Sequence, residues 1–454
     1  MGRLPPYRLI FRHRKIAARV LPIVPCSRMS TSRFVYRPIE EVERLEHYRP
    51  GGYHPIQIGD CLHGRYRIVH KLGYGSFSTT WLARDRQQLA YVAIKVGTSD
   101  SDHHEVDVLS RINDAALECK SRSKPLLPVV LDRFSLRGPN GTHFCLVTNV
   151  ARCSLADTKE ASTSGLFQLQ VARALAAQLA IAVARINDQK YVHGVHILTI
   201  PPTDLHLGNV LLHLPSGLDH LSEEQLNDKF GAPETEPVVR LDGQPLSPNV
   251  PSHAISPVWL GEPSENIVLS DAKLLLVDFG VAFRPSEESR LQSYTPLEIR
   301  PPKARFEPTT PLSFASDIWS LACIIWAIIG QRSLFDSLLA TQDDITCEQV
   351  DALGCLPQEW WVGWGARSRK FTEAGQPVEG RSVWSWDQRF EDSIQEPRRE
   401  KGMATLDAKE KDAFFAMMRW MLAFRPGDRP TAKQVLETAW MRDWALPEYE
   451  NISE

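Results

Sequence analysis

The sequence predicts an α+β fold, in which a small β-sheet with one helix precedes a larger, mainly helical region. Short runs rich in β-branched and aromatic residues, separated by turn residues, fill positions 66–150, and helical spacing of apolar residues dominates after position 150. Apolar residues make up 43% and charged residues 24% of the 454 residues. This globular composition excludes a disordered, collagen-like or coiled-coil chain.

The first region is predicted from four short β-rich runs and one helical pattern. Strands are expected at 67–72, 80–83, 91–96 and 144–150, each bounded by turn residues or a change of pattern. Apolar side chains at positions 106, 108, 109 and 112 repeat with helical spacing, which predicts a helix over 105–112. These elements make a small sheet with one helix.

The second region is predicted to be helical. Its longest pattern, over 167–186, places apolar residues such as Val171, Leu175 and Leu179 on one face of an amphipathic helix. Shorter patterns of the same kind predict further helices at 315–329, 409–422 and 432–440.

Composition divides the chain into five parts. Before Glu40 there are nine basic residues and no acidic one, so the formal charge of −3 divides into +9 in this leader and −12 in the rest. The segment at about 213–266 is rich in Pro, Gly, Ser and acidic residues, which predicts a long, mostly irregular insertion. The predicted parts are a basic leader 1–39, an N-terminal extension 40–65, a small region 66–150, a large region 151–446 that carries the insertion, and a tail 447–454.

The leader fits two interpretations. An Arg-rich, acid-free segment is typical of a mitochondrial presequence, and composition alone favours a disordered basic tail. Eight cysteines without metal-site spacing indicate reduced thiols in an intracellular compartment. The strongly apolar run 321–329 is shorter than the roughly 18 residues of a membrane span, so none is expected. The net charge of −3 argues against direct nucleic-acid binding.

A glycine-bearing turn followed by a lysine is the first chemical signal. Gly73 and Gly75 lie between two predicted strands, where the absence of a Cβ lets backbone amides approach phosphates. Lys95 ends a Val-Ala-Ile-Lys run about twenty residues later and can neutralise phosphate charge. Glu105 can fix Lys95 by an ion pair, or it is a solvated helix charge. A plain hairpin beside a surface lysine is the alternative, and the ordered pairing favours phosphate binding.

Acidic and amide side chains at the ends of two apolar runs are the second signal. Asp204 and Asn209 stand five residues apart in a loop that leads into an apolar run. Such an acid can accept a proton from a hydroxyl, and the amide offers an oxygen to Mg²⁺. Asp278 ends a Leu-rich run and begins an Asp-Phe-Gly tripeptide, where a carboxylate can hold the same metal or simply cap the strand.

Taken in order, these motifs resemble the signature set of the eukaryotic protein kinases. Downstream, Pro-Leu-Glu ending at Glu298 resembles the A-P-E element, and the helix with Asp317 resembles the one that supports the catalytic loop. Arg429 matches the arginine that pairs with the A-P-E glutamate, here Glu298. The resemblance covers residues 66–440 and implies a bilobal protein-kinase fold, with a small antiparallel sheet lobe that carries one helix and a larger, mainly helical lobe.

Within that family the sequence resembles the SR-protein kinases, particularly fungal ones. The shared features are the glycine loop over 73–81, Thr203 before Asp204, a long spacer before Asp-Phe-Gly, and an opening at 51–55. Thr203 cannot receive an activation-loop phosphate as the usual arginine does, so the resemblance implies activity without that phosphorylation. It also implies a serine/threonine kinase of Arg/Ser-rich splicing proteins, in cytoplasm or nucleus, which we expect to be a monomer.

The resemblance implies ATP and Mg²⁺ as ligands and assigns a role to each matching residue. The catalytic residues are Asp204, Lys95, Glu105, His206 and Asn209. The residues expected to bind ATP are Leu72, Gly73, Tyr74, Gly75, Ser76, Phe77, Ser78, Thr79, Thr80, Ala93, Lys95, Thr148, Asn149, Val150 and Leu211. Asn209 and Asp278 are expected to hold the metal, and Glu298, Asp317 and Arg429 to support the site.

Three departures leave alternatives open. Ser78 and Thr80 replace a glycine and a valine of the pattern, and His206 replaces a lysine, as in the aminoglycoside and choline phosphotransferases. Nine residues, 195–203, separate the His193-Gly194 pair from Asp204 and are able to displace His193, which braces the loop in this family. A pseudokinase scaffold or a small-molecule phosphotransferase are the alternatives, and the resemblance to A-P-E argues against the second.

Overall fold

A computed structural model describes residues 34–117, 125–194, 206–214, 217–291, 296–335 and 340–452. Thr203, Asp204, the interposed residues 195–203 and the leader up to residue 33 lie outside the described residues. The described part is a mixed α+β structure, so the α+β part of the predicted fold is confirmed. Its six cysteines are free thiols.

The N-terminal part contains a six-stranded antiparallel sheet with the strand order β1-β2-β3-β4-β6-β5. One face packs into a core that includes Trp81, Ile94 and Val147. The strands are β1 Cys61–Leu62, β2 Tyr66–Gly75, β3 Ser78–Asp85, β4 Ala90–Gly97, β5 Val130–Gly138 and β6 Gly141–Asn149, and helix α1 spans His104–Leu117. Apolar residues of α1 join the core of the helical part, because Val106, Leu109 and Ile112 belong to its main cluster.

Two small sheets follow. The strands β7 Ala151–Ser154, β8 Val210–His213 and β11 Leu274–Leu276 form a three-stranded sheet with the order β11-β8-β7. The strands β9 Thr235–Pro237 and β10 His253–Ile255 pair with each other inside the predicted insertion. The segment before β8 carries His206 and Asn209, and the turn after β11 carries Asp278.

The C-terminal part is mainly helical. The described helices are α2 Leu155–Glu160, α3 Leu169–Asp188, α4 Glu223–Phe230, α5 Lys303–Phe306, α6 Phe314–Ile329, α7 Gln342–Leu353, α8 Gln358–Gly363, α9 Trp386–Phe390, α10 Glu396–Glu400, α11 Ala408–Met421, α12 Ala432–Leu436 and α13 Leu446–Glu450. Helices α3 and α6 form the centre of the largest core cluster. By length and composition α3 could cross a membrane, but 78% of its most apolar window is buried inside the protein, as in a core helix.

The N-terminal extension and the insertion pack against each other. Tyr36 from the end of the leader and Tyr48 and Tyr53 from the extension share a core cluster with Val238 and Val250 from the insertion. The insertion is more regular than its composition predicts, since it holds α4, β9 and β10. A capping box begins α4: the Ser222 hydroxyl accepts from the amide of Gln225, whose side chain accepts in return from the Ser222 amide.

Candidate active site

The hairpin between β2 and β3 forms the predicted glycine loop. Gly75 pairs with Ser78, so Ser76 and Phe77 make the turn. A Cβ added at Gly73 or at Gly75 would meet no protein atom within 4 Å. The protein therefore leaves open the space that these side chains would fill, as expected of a loop whose backbone approaches a ligand.

Lys95, Glu105 and Asp278 converge although they come from three separate elements. The Lys95 ammonium lies 2.7 Å from the Glu105 carboxylate and 3.4 Å from that of Asp278. Burial opposes the charge on Lys95, but Glu105 and Asp278 outweigh it and raise the pKa of the lysine. Burial likewise opposes ionisation of Asp278, and Lys95 outweighs it, so the pKa of Asp278 is lowered. At neutral pH Lys95 and Asp278 therefore carry charge.

Glu105 also ties helix α1 to the Asp-Phe-Gly turn. Its second carboxylate oxygen accepts the backbone N–H of Phe279 at 3.2 Å. One carboxylate therefore holds both the lysine of β4 and the turn that bears Asp278. Asp278 itself adopts a φ of 67°, a left-handed conformation that a short polar side chain tolerates better than most.

Asn209 and Asp278 lie at the same end of two paired strands. Val210 of β8 pairs with Leu276 of β11, and the Val277 amide donates to the Asn209 carbonyl at 2.9 Å. An amide oxygen and a carboxylate at one strand end are ligands that fit Mg²⁺. Within the described ranges no three His, Cys, Asp or Glu side chains converge on a metal position. This pair therefore suits an ion that takes its other ligands from phosphates and water.

His206 caps the short 3₁₀-helix Leu207–Asn209. Its Nδ1 accepts the Gly208 amide at 3.0 Å, and a Cβ on Gly208 would lie 2.5 Å from the imidazole ring. Burial lowers the pKa of His206, although the Asp278 and Glu298 carboxylates act in the opposite direction. The imidazole is therefore neutral at pH 7 and does not supply the permanent charge of a lysine.

His193 stays in the core despite the residues interposed before Asp204. It is fully buried, its backbone amide donates to Asp317 at 3.0 Å, and its ring packs 5.0 Å from that of Phe279. Its Nε2 lies 3.2 Å from the Val277 carbonyl. Displacement of His193 by the interposed residues is thus not observed.

Asp317 lies buried in the first turn of α6. Its side chain connects the end of α3 to the segment that carries His193. Its carboxylate accepts from the His193 amide at 3.0 Å and from the Asn187 side chain at 3.1 Å. Burial raises the pKa of Asp317 to about 6, against the effect of these hydrogen bonds. The residue lies where a support for the neighbouring loop is expected.

Three of the residues expected to bind the base share one apolar cluster, and the others lie on β6 and β8. Ala93, Val150 and the partly buried Leu72 belong to one apolar cluster. Thr148 of β6 lies opposite Ala93 of β4, and Asn149 opposite Val92 ends that pairing. Leu211 of β8 is half-buried.

The Thr79 side chain lies in the core of the sheet. Thr79 is 1% exposed, and its hydroxyl accepts the Trp81 indole N–H at 2.9 Å. Successive side chains of a strand point to opposite faces, so Thr80 points away from this core and Thr79 can approach a ligand only through its backbone.

The predicted ion pair between Glu298 and Arg429 is wrong. Among the residues that the structure describes, these two form no ion pair; Arg429 is buried and donates to the carbonyls of Ala315, Ala423 and Phe424 at 2.7–2.9 Å. The charged neighbour of Arg429 is Lys303, at the start of α5. Burial lowers the pKa of Lys303, and the Arg429 charge adds to that effect against the opposing Glu307.

The error has a plain cause. The tripeptide Pro-Leu-Glu resembles A-P-E in its letters, but backbone carbonyls take the hydrogen bonds of the Arg429 guanidinium. Glu298 lies instead close to the catalytic-loop residue His206, where its charge partly offsets the lowering of the imidazole pKa by burial.

The sequence reasoning missed Arg290, which organises the segment after Asp-Phe-Gly. Its guanidinium binds the Glu288 carboxylate at 2.7 and 2.9 Å and donates to the Val281 carbonyl at 2.6 Å. It also stacks 4.9 Å from the Phe283 ring. The Glu-Ser-Arg spacing was the available signal, but it is too common to single out.

Known proteins match the chain in two ways. A family model of the protein kinase domain matches residues 264–441. The serine/threonine-protein kinase SRPK of Physarum polycephalum is 28% identical over 89% of this chain and 92% of its own length. A serine/threonine protein kinase of Aspergillus fumigatus is 24% identical over 88% of this chain and 90% of its own. Human SRSF protein kinase 3 is 41% identical over 117 residues, 24% of this chain and 20% of its own.

The geometry and the matches agree. The lysine, the helix glutamate and the Asp-Phe-Gly aspartate converge as the order of motifs predicts. The matching relatives of comparable length carry the name of serine/threonine protein kinase. Residues 264–441 therefore match a protein kinase domain, and the chain is similar over most of its length to serine/threonine protein kinases, among them an SRPK.

Proposed function

We propose that the chain transfers the γ-phosphoryl group of ATP to serine or threonine hydroxyls of proteins, in a cleft between a sheet-containing lobe and a helical lobe. The observation that carries this proposal is the convergence of Lys95, Glu105 and Asp278, with Asn209 at the adjoining strand end. Phosphoryl transfer needs mainly positioning and electrostatic stabilisation, which these charged groups provide.

Each residue has a distinct part in this mechanism. Lys95, held by Glu105, binds the phosphates as a fixed cation, and the glycine loop excludes water above them. Asn209 and Asp278 would hold Mg²⁺, which when bound would neutralise charge on the phosphate oxygens. Asp204, outside the described residues, orients the substrate hydroxyl and accepts its proton. Adenine lies between Ala93 and Leu211.

His206 positions the catalytic loop instead of neutralising phosphate. Its neutral ring holds the Gly208 amide and thereby fixes the turn that leads to Asn209. A neutral residue at this position leaves Lys95 and the metal as the main sources of positive charge in the site. A small-molecule phosphotransferase shares the histidine, but full-length similarity to protein kinases favours a protein substrate.

The segment after Asp-Phe-Gly is expected to work without phosphorylation. Arg290 already binds the acidic side chain of Glu288 within the segment, where a phosphorylated residue would otherwise supply the charge. Replacement of the hydroxyl residues between Gly280 and Glu298 (Ser286, Ser289, Ser293, Tyr294 and Thr295) should keep the rate. A collapse of the rate would contradict this.

The proposed substrates are Arg/Ser-rich proteins such as splicing factors. The name of one relative, SRSF protein kinase 3, supports this class, and a formal charge of −12 after the leader suits a basic substrate. Cytoplasmic or nuclear localisation, and the mitochondrial alternative, stay predictions.

The test uses the purified full chain with radiolabelled ATP and Mg²⁺. We expect label in an Arg-Ser repeat peptide at a rate above that in a generic basic protein, and no label with Asp278→Asn. Thermal stabilisation by nucleotide without transfer would instead indicate a pseudokinase. Equal labelling of both substrates would contradict the Arg/Ser preference.

A further inference from the structure

A Gly-Gly-Tyr-His-Pro run at 51–55, in the N-terminal extension, lies against the glycine loop. The run is tightly placed: a Cβ on Gly52 would lie 1.8 Å from the His47 carbonyl. It is also tied to the end of β4, because the Ser99 and Asp100 amides donate to the Gly52 and Gly51 carbonyls at 3.1 and 2.8 Å. This packing directs Tyr53 toward the loop.

The Tyr53 hydroxyl reaches the tip of the loop. It lies 2.6 Å from the Gly75 carbonyl and 3.2 Å from the Ser76 carbonyl. The loop is held from its other side by β4, whose following residue Thr98 donates its amide to the Phe77 carbonyl at 2.7 Å. The carbonyls of three successive loop residues are therefore engaged by parts of the protein outside the hairpin.

A hydrogen bond to a carbonyl also sets the direction of the next amide. The Gly75 carbonyl and the Ser76 N–H belong to one planar trans peptide and point in opposite directions. When Tyr53 holds the carbonyl, the Ser76 N–H is directed away from Tyr53. The second contact, to the Ser76 carbonyl, restrains the following peptide group in the same way.

Tyr53 is itself rigidly held. It is 3% exposed, and its ring packs 5.5 Å from that of Tyr48. Its carbonyl accepts the Asn140 side chain at 2.6 Å, and Asn140 also donates to the Asn249 carbonyl of the insertion at 2.8 Å. A hydroxyl on a fixed ring orders the loop at little further entropic cost.

We propose that Tyr53 is a positioning residue for the nucleotide phosphates, because its hydroxyl fixes the peptide groups of the glycine loop that face them. This inference rests on the proposed nucleotide site and adds to it a residue outside the kinase motifs. The extension thereby orders the glycine loop before the phosphates bind, which lowers the entropic cost of their binding.

The test compares Tyr53→Phe with Tyr48→Phe in the full chain. Tyr48 is a matched control, since it is equally buried in the same cluster and its hydroxyl donates to Glu43 and not to the loop. Dissociation constants of MgATP and of adenosine are measured by calorimetry, and kcat and KM for ATP by initial rates. Adenosine serves as the probe that lacks phosphates.

We expect Tyr53→Phe to weaken MgATP binding and raise the KM for ATP about fivefold, as loss of one hydrogen bond predicts. Adenosine binding should stay within about twofold, and Tyr48→Phe should leave both ligands at wild-type affinity. Equal weakening of both ligands, or wild-type MgATP affinity in Tyr53→Phe, would overturn the inference. A wild-type chain that binds MgATP without transferring phosphate would contradict only the proposed function.

Discussion

Replacement of Glu105 by glutamine removes one charge from the centre of the site and almost no volume. The lost contact is the 2.7 Å pair with Lys95, whose side chain is 30% exposed while that of Glu105 is 17% exposed. A glutamine oxygen can still accept the Phe279 amide, so the substitution separates the ion pair from the tie to Asp-Phe-Gly. Lys95 should then shift toward Asp278, its remaining partner at 3.4 Å, and away from the phosphates.

The size of the effect follows from the kind of bond. A hydrogen bond between charged groups contributes about 1.5–3 kcal/mol, which corresponds to a loss of about 10- to 150-fold in kcat/KM for ATP. The assay is initial-rate phosphate transfer to a protein substrate at several ATP concentrations. Asp107→Asn is the control, because Asp107 is an exposed acid on the same helix. A Glu105→Gln rate within about twofold of wild type would refute the assigned role of the pair.

Three further predictions concern single side chains. His206→Ala should lower kcat about fivefold more than His206→Asn, because asparagine can still cap the helix as the imidazole does. Lys303→Glu should lower Tm by about 2 °C relative to Lys303→Gln, because it replaces the attraction to Glu307, which outweighs the repulsion from Arg429, with a repulsion. Asp317 has a pKa raised to about 6 in the native state against 3.8 when unfolded, so the native state binds the extra proton between these values. The free energy of unfolding of wild type should therefore fall by up to about 3 kcal/mol, relative to that of Asp317→Asn, as the pH rises from 4 to 7. Denaturant titrations at several pH values measure it.

Each of these has a clear contrary result. Equal kcat values for the two His206 variants would show that the cap does not order the loop. A higher Tm for Lys303→Glu than for Lys303→Gln would mean that Arg429 acts on this position more strongly than Glu307 does. A stability difference between wild type and Asp317→Asn that is flat with pH would contradict the raised pKa.

Periodicity in the sequence was enough to predict the main elements. The helix predicted over 167–186 is Leu169–Asp188, and the one over 315–329 is Phe314–Ile329, because a buried helix repeats its apolar residues every turn. The strand Val130–Gly138 was missed, since charged and polar residues alternate along it and its exposed positions interrupt the apolar pattern. The three-residue strands of the insertion are too short to show a period.

The residues of the site likewise divide into those that could be predicted from the sequence and those that could not. Lys95, Glu105 and Asp278 could be predicted because their spacing along the chain follows the family motifs, and the structure brings them together. The proximity of Lys303 to Arg429 could not be predicted from the sequence motifs. The two residues are far apart in sequence, and the motif predicts an acidic residue beside the arginine, not a lysine. Tyr53 was visible only as part of a motif without a role, since its contact with the loop depends on packing of the extension.

The most direct test of the whole account is Asp204→Asn, measured for both phosphate transfer and MgATP affinity in the same preparation. We predict that transfer to a protein substrate falls at least about hundredfold, as loss of a general base requires, while MgATP binding is retained. Undiminished transfer by this variant would contradict the proposed chemistry, because the proton of the substrate hydroxyl would then have another acceptor.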